Sequence, residues 1–220
     1  MKVFNLLFAA LAFVLCVTPA LVQAEWIQID LAAQVSYVSD PYSLLEGSVH
    51  VGDTITGSYK YESTTQDSSS SDPTRGDYWH YITPAGISLT VGGFEFKTNP
   101  DNVNFNIAIL NNWQGSRDNY HIVSWTNIPI SSEVFVESID WTLDAPVGDV
   151  FSSDALLTTA PILSQWQINN LRILGGKGGI PPDYDQPFTI VSHVTSANLV
   201  PEPATLCLLA LGGLFLRRRF

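Results

Sequence analysis

Three aspartates in a serine-rich stretch are the first residues whose types suggest chemistry. Asp67, Asp72 and Asp77 belong to TTQDSSSSDPTRGD, which runs from Thr64 to Asp77. Calcium prefers oxygen ligands, and aspartate and serine supply them, but the glycine turn and closing glutamate of an EF-hand are missing. The main expectation is therefore a polar loop between two strands, with calcium binding as the alternative.

Aromatic side chains form a second set of candidates, because sugar rings stack on exposed aromatic faces. The chain has six tryptophans, and the cluster Tyr78-Trp79-His80-Tyr81 is followed later by Trp113. We take Tyr78, Trp79, Tyr81 and Trp113 as candidate glycan contacts. The alternative is that these large rings fill the space between packed sheets, as aromatics do in most protein cores.

Motifs of enzyme catalysis are missing from the sequence. It has neither the G-x-S-x-G elbow of hydrolases nor the H-E-x-x-H of zinc proteases. The segment 175–179, GGKGG, lacks the Ser or Thr that closes a phosphate-binding loop. Two carboxylates could pair for glycoside hydrolysis, but the sequence selects no pair. We therefore predict no catalytic residues, metal or cofactor, and keep a secreted hydrolase as the least favoured alternative.

The charge and the cysteines limit the remaining classes of function. Between residues 25 and 199, six lysines and arginines stand against 20 aspartates and glutamates. Such an acidic body repels nucleic acid, so we predict no nucleic-acid partner. Cys16 and Cys207 both lie in terminal apolar runs, so this body has no disulfide of its own and no thiolate metal site.

The first 24 residues predict a secretory signal peptide. An apolar run from Leu6 to Val17 follows Lys2, and Val22-Gln23-Ala24 places small residues where a signal peptidase reads them. We expect cleavage after Ala24. The apolar run is shorter than the ~20 residues that a transmembrane helix needs.

The last 21 residues combine a Pro-Glu-Pro triplet, an apolar run and three arginines. Leu206 to Leu216 would reach roughly 16 Å as a helix, against a bilayer core of ~30 Å. This short hydrophobic helix suits transient membrane insertion, with Arg217, Arg218 and Arg219 held on the cytoplasmic side. Because Pro201 and Pro203 disfavour helix, the peptide just outside the membrane stays extended and accessible.

These residues resemble a known export signal. Val200, Pro201, Glu202 and Pro203, followed by the leucine-rich run and Arg217–Arg219, are similar to the PEP-CTERM sorting signal of exported bacterial proteins. The resemblance implies a Gram-negative cell that makes exopolysaccharide. It also implies an exosortase-like membrane transpeptidase that recognises the tail at or near Pro-Glu-Pro and removes it.

The body between these ends reads as β-structure. Apolar residues alternate in about eight or nine short runs separated by Gly, Pro, Asn and Asp, which predicts an all-β fold. One face of the first strand should carry Ile27, Ile29, Leu31, Val35 and Tyr37, and one face of a later strand Phe135, Ile139, Trp141 and Leu143. Regular strands with short turns favour a single antiparallel β-sandwich, jelly-roll-like.

We therefore predict three parts: a signal peptide (1–24), a β-sandwich domain (25–199) and a PEP-CTERM sorting signal (200–220). The expected partners are signal peptidase, the exosortase-like enzyme and exopolysaccharide. The function that follows is a structural or adhesive protein of the cell surface or biofilm matrix, tethered to the inner membrane during processing. A carbohydrate-binding module is the alternative.

Overall fold

The computed structural model describes residues 26–146, 148–179 and 183–201, and these form ten strands. In chain order they are β1 (Trp26–Ser39), β2 (Thr54–Glu62), β3 (Arg75–His80), β4 (Gly86–Val91), β5 (Phe94–Lys97), β6 (Phe105–Trp113), β7 (Arg117–Ser124), β8 (Val134–Ala145), β9 (Ile168–Lys177) and β10 (Gln186–Leu199). The all-β prediction is confirmed for this part of the chain.

All ten strands belong to one antiparallel sheet in the order β3-β6-β7-β8-β9-β10-β1-β2-β4-β5. The predicted jelly-roll sandwich is not confirmed, because every strand is hydrogen-bonded into this single sheet. The sheet curls into a half-barrel and buries its inner face. Side chains of β2 consequently touch β7, although four strands lie between them in the sheet.

The β3 edge of the sheet is covered by the acidic loop between β2 and β3. The backbone N–H of Asp77 donates to Oδ1 of Asp67 at 2.8 Å, and the N–H of Ser68 donates to the carbonyl of Asp77 at 2.9 Å. Both backbone groups of Asp77 are thus satisfied within the chain. Covering an edge strand in this way blocks pairing with another chain.

The β5 edge meets the connection between β7 and β8. The N–H of Ile128 donates to the carbonyl of Lys97 at 2.8 Å, and the N–H of Asn99 donates to the carbonyl of Thr126 at 2.9 Å. A bridge between Thr98 and Asn127 completes this contact. The curl therefore closes partly on itself just beyond the end of β5.

The inner face is filled by aromatic side chains whose polar atoms have partners. The hydroxyls of Tyr59 on β2 and Tyr120 on β7 lie 3.1 Å apart, and both residues are fully buried. The ring of Trp141 meets both tyrosines edge-on, and its Nε1 donates to Oδ1 of Asn169 at 2.9 Å. This cluster joins the two halves of the curl.

The alternation of the first strand breaks at a β-bulge. Ile27, Ile29, Leu31 and Val35 are buried as predicted, but Tyr37 is 54% exposed. Val35 pairs with Ser192 and Tyr37 with Val191, so Ser36 is an extra residue on β1. A bulge of one residue moves all later side chains to the other face, which is why the prediction for Tyr37 was wrong.

Other predictions concern helices and the two ends. The connection between β8 and β9 contains a single 3₁₀ turn at Leu163–Gln165. Within the described ranges, no helix is long and apolar enough to cross a membrane. The predicted cleavage point at Ala24, the hydrophobic helix, Glu202, Pro203 and Arg217–Arg219 lie outside the described residues.

The hydroxyl pair predicts a non-additive mutant cycle. Tyr59→Phe or Tyr120→Phe alone leaves one buried hydroxyl without a partner, which should lower the free energy of unfolding by about 1–3 kcal/mol. The double variant leaves neither hydroxyl orphaned and should lose no more than the worse single variant. Denaturant unfolding of the body measures this, and strictly additive losses would show that the hydroxyls do not interact.

The same tyrosines predict loss of stability in alkali. Burial raises the pKa of Tyr59 and of Tyr120 well above 10, whereas an unfolded tyrosine ionises near pH 10. Below that pH the stability is fully present. Above it, each of these tyrosines should remove about 1.4 kcal/mol per pH unit until its folded-state pKa is reached. Unfolding curves between pH 8 and 12 test this, and the double phenylalanine variant should show a shallower decline.

Candidate functional site

A second β-bulge, in β8, builds an aromatic site on the outside of the sheet. Val136 pairs with Gly175 and Ser138 with Leu174, so Glu137 is the extra residue. The bulge puts Phe135 on the face opposite Ile139, and Phe135 is 44% exposed. The prediction that Phe135 shares the inward face with Ile139, Trp141 and Leu143 was therefore wrong for Phe135 alone.

The site is a cleft of about 690 Å³, which we call the aromatic cleft. Its walls include Trp125, Thr126, Asn127, Phe135, Glu137 and Tyr184. Trp125, directly after β7, is 49% exposed, and Tyr184 is half-buried. A cleft of this size, with mostly apolar walls and a few polar groups, is typical of small-molecule sites.

A glycine in β9 makes room for one wall of the aromatic cleft. Gly176 pairs with Phe135 across β8 and β9. A Cβ atom at Gly176 would lie 2.6 Å from Cβ and Cγ of Tyr184, closer than side-chain carbons approach. The tyrosine therefore lies directly over the β9 backbone beside Phe135, and it does so because residue 176 has no side chain.

The floor of the aromatic cleft is held by a buried amide. Oδ1 of Asn127 accepts a hydrogen bond from Oγ of Ser124 at 2.7 Å, and its Nδ2 donates to the carbonyl of Ser124 at 3.1 Å. The hydroxyl of Ser124 also contacts Oγ1 of Thr98 at 2.8 Å. These bonds fix the backbone that carries Trp125 and tie it to the closing edge of the sheet.

The surroundings of Glu137, the acidic residue of the aromatic cleft, shift its pKa. Burial raises the pKa of Glu137, and the nearby negative charge of Asp183 raises it further. Burial and the charge of Glu137 likewise raise the pKa of Tyr184. A half-buried carboxylate in a cleft that aromatic rings also line can accept hydrogen bonds from ligand hydroxyls, while the rings offer apolar faces. This combination suits a ring-shaped polyol.

The four aromatics singled out from the sequence lie at three places. Tyr78 faces inward, where its hydroxyl donates to the carbonyl of Asp154 at 2.9 Å and burial raises its pKa to about 12. Trp79 and Tyr81 face outward. Their ring planes make an angle of 5°, their ring centroids lie 6.2 Å apart, and Tyr81 is 65% exposed. Trp113 lies at the β6–β7 hairpin, opposite Arg117. Only Trp79 and Tyr81 are brought together.

The calcium candidates are engaged within their own loop. Oδ1 of Asp67 accepts from the N–H groups of Ser69 and Asp77, and Asp77 is paired with Arg75 at 2.6 Å. Thr74 donates to Asp72 through its N–H and its hydroxyl, which lowers the pKa of that carboxyl. In the part of the chain that the structure describes, no three His, Cys, Asp or Glu residues are grouped so that they could hold a metal.

Buried carboxylates on the outer face of β8 are paired with arginines. Asp140 contacts Arg172 at 3.0 Å, and Asp144 contacts Arg117. Burial lowers the pKa of the neighbouring His121, with a raising influence from Asp140 and a lowering one from Arg172. These pairs satisfy charges that would otherwise be buried alone, which is a structural role.

Sequence reasoning missed the aromatic cleft because it depends on long-range placement. Phe135 and Glu137 were read as members of a regular strand, and no local pattern marks the extra residue. One available signal was the pair Gly175-Gly176, since glycine inside a strand often marks a bulge or a close approach.

The comparison with protein families bears on the C-terminus. A family model described as the PEP-CTERM protein-sorting motif matches residues 199–219. The chain carries a PEP-CTERM sorting motif. Neither the curated proteins nor the solved structures contain a match to the chain.

The motif confirms the resemblance noted from Val200–Pro203 and Arg217–Arg219. It supports an exported protein that is sorted and processed by an exosortase-type membrane enzyme. The match covers the tail alone, so the role of the β-sheet body has to be argued from its own residues.

Proposed function

We propose that this protein is an adhesive component of the cell surface or extracellular matrix, and that its body holds exopolysaccharide in the aromatic cleft. The observation that carries the proposal is the bulge at Glu137, which turns Phe135 outward beside Trp125 and Tyr184. Bulges often re-aim a side chain next to a functional site. The export signal supports this proposal, because an exported protein can meet polysaccharide outside the cell.

The charge of the body narrows the class of polysaccharide. An excess of 14 acidic over basic residues between residues 25 and 199 repels an acidic polymer. Two of these acidic residues lie at or beside the aromatic cleft: Glu137 lines it, and the charge of Asp183 is near enough to raise the pKa of Glu137. The expected ligand is therefore a neutral polysaccharide or one that carries amino groups.

The outer pair Trp79–Tyr81 is a second place where a sugar could stack. It lies beside Asn106, a residue that is 4% exposed and whose Nδ2 has no hydrogen-bond partner among the described residues. This observation favours a carbohydrate-binding module with its site on β3 and β6. The aromatic cleft remains the better candidate because its walls can contact a ligand on several sides, whereas the pair offers one surface.

We further propose that the body acts without catalysis. The buried Asp140 and Asp144 are neutralised by arginines and are poorly suited to proton transfer. Glu137 and Asp183 are near enough for the charge of Asp183 to raise the pKa of Glu137, and glycoside hydrolases use a pair of carboxylates. Release of reducing ends that disappears in Glu137→Gln would replace this proposal with a secreted hydrolase.

Binding of polysaccharide tests the site. With neutral and amino-bearing oligosaccharides from a glycan array, Trp125→Ala and Phe135→Ala should each weaken binding at least about tenfold, as truncation of a central aromatic contact typically does. Tyr42→Ala, which removes an exposed ring elsewhere, is the matched control and should bind normally. Loss of binding in Trp79→Ala, with Trp125→Ala unaffected, would move the site to the outer pair.

The mass of the exported protein tests the sorting. Material from the native host should lack residues 1–24, because of signal peptidase, and the arginine-bearing tail, because of the exosortase-type enzyme. Intact-mass analysis of secreted and surface fractions gives both ends at once. Exported protein that still contains Phe220 would contradict processing of the motif and leave a simple tail anchor.

A further inference from the structure

The sorting motif begins on the sheet itself, with no linker between them. The matched segment starts at Leu199, which is the last residue of β10. The next residue, Val200, still donates its N–H to the carbonyl of Gln28 on β1 at 2.9 Å. Only Pro201, which has no N–H to donate, separates this bond from Glu202 of the triplet.

The last part of β10 is held less firmly than the rest of the strand. Up to Ser192, β10 is paired with both β9 and β1, and Asn169 bonds the backbone of Val194. Beyond Val194 the described strand pairs with β1 alone. We call this segment, Thr195–Val200, the ladder end. Its side chains are exposed or half-buried, and Ala197 is the one that packs against the core, so opening of this segment exposes little apolar surface.

The reach of the tail places the body close to the membrane. Five residues, Pro201 to Thr205, separate the ladder end from the apolar run that starts at Leu206. Fully extended they span about 17 Å, and the headgroup layer takes up roughly 5–8 Å of that distance. A folded domain of 100 residues has a radius of gyration of about 13 Å, so no such domain fits between the body and the bilayer.

The start of β1 lies at the same end of the sheet. Ile29 pairs with Leu199, and Trp26, the first described residue, pairs with Glu62 at the end of β2. The predicted signal-peptide cleavage at Ala24 is two residues before β1. Both ends that are expected to be processed therefore leave the body side by side, and this end of the sheet faces the membrane.

We propose that the exosortase-type enzyme meets the sheet at this end and takes the motif only after the ladder end has separated from β1. The inference rests on the proposed sorting function. Enzymes that process peptides bind an extended chain on both sides of the reacting bond, and a segment hydrogen-bonded to β1 cannot lie in an enzyme groove at the same time. The rate of processing is then limited by how often the ladder end opens.

A spacer tests the proposal in the full-length precursor. Six residues of alternating Gly and Ser inserted between Val200 and Pro201 give the enzyme an extended chain without opening of the sheet. Pulse-chase labelling in the native host should show the tail removed severalfold faster than from the unmodified precursor. An unchanged rate would overturn the proposal.

A reversible lock gives the opposite perturbation. Asp30 and Asn198 are exposed partners in the β1–β10 register, so Asp30→Cys with Asn198→Cys should form a disulfide that holds the ladder end closed. The background carries Cys207→Ser, which alone is the matched control and should be processed normally. The oxidised variant should lose its tail at least tenfold more slowly, and a reductant should restore the rate.

Combining the two changes separates failure of the inference from failure of the sorting function. The spacer placed in the locked variant should restore processing even when the disulfide is intact. A verified disulfide without any effect would mean that the enzyme needs nothing upstream of Pro201 or acts before folding, and the proposal would fall while sorting stands. An unmodified precursor that keeps Phe220 in exported material would instead refute the sorting function.

Discussion

The fold depends on the curl of its single sheet, which brings the hydroxyls of Tyr59 and Tyr120 together across the interior. These residues lie 61 positions apart in the chain, and four strands lie between theirs in the sheet, so they can meet only if the sheet curls. A flat ten-stranded sheet without helices would leave one apolar face in water. The curl buries that face against itself, and the tyrosines with Trp141 fill the interior while satisfying their own polar atoms.

Much of the strand pattern could be predicted from the sequence, because alternation reports which face of a strand is buried. The regular runs Ile87–Val91 and Val103–Ile109 have their alternate apolar residues inside. Prediction failed where a bulge adds one residue, as at Tyr37 and Phe135, since an extra residue leaves no mark in local composition. The arrangement of strands into one sheet was equally beyond local pattern, because hydrogen bonds between distant strands decide it.

For the candidate site, too, the sequence indicated which residue types matter but not where the fold places them. Sequence reasoning correctly valued exposed aromatics, and Trp79 with Tyr81 does form an outward pair. It could not distinguish these two residues from Tyr78. Successive side chains of a strand point to opposite faces, so Tyr78, one position before Trp79, points into the core. Trp125 is exposed because it follows Ser124, the last residue of β7 that pairs with β6 and β8. The aspartates of the acidic loop proved to be partners for the loop's own donors and for Arg75, which is how a polar segment can cover a sheet edge.

The topology explains how a tail can be discarded without loss of the fold. β10 lies between β9 and β1, and its buried apolar side chains are Phe188, Ile190 and Val194, all of which precede the ladder end. Removal of everything after Val200 therefore takes away no buried apolar side chain of this strand. Because β10 is the last strand of the described residues, the sheet that they form is complete only when the chain reaches the motif. The strand that completes the sheet therefore leads directly into the signal. The ladder end, which pairs with β1 alone, joins the folded sheet to the signal.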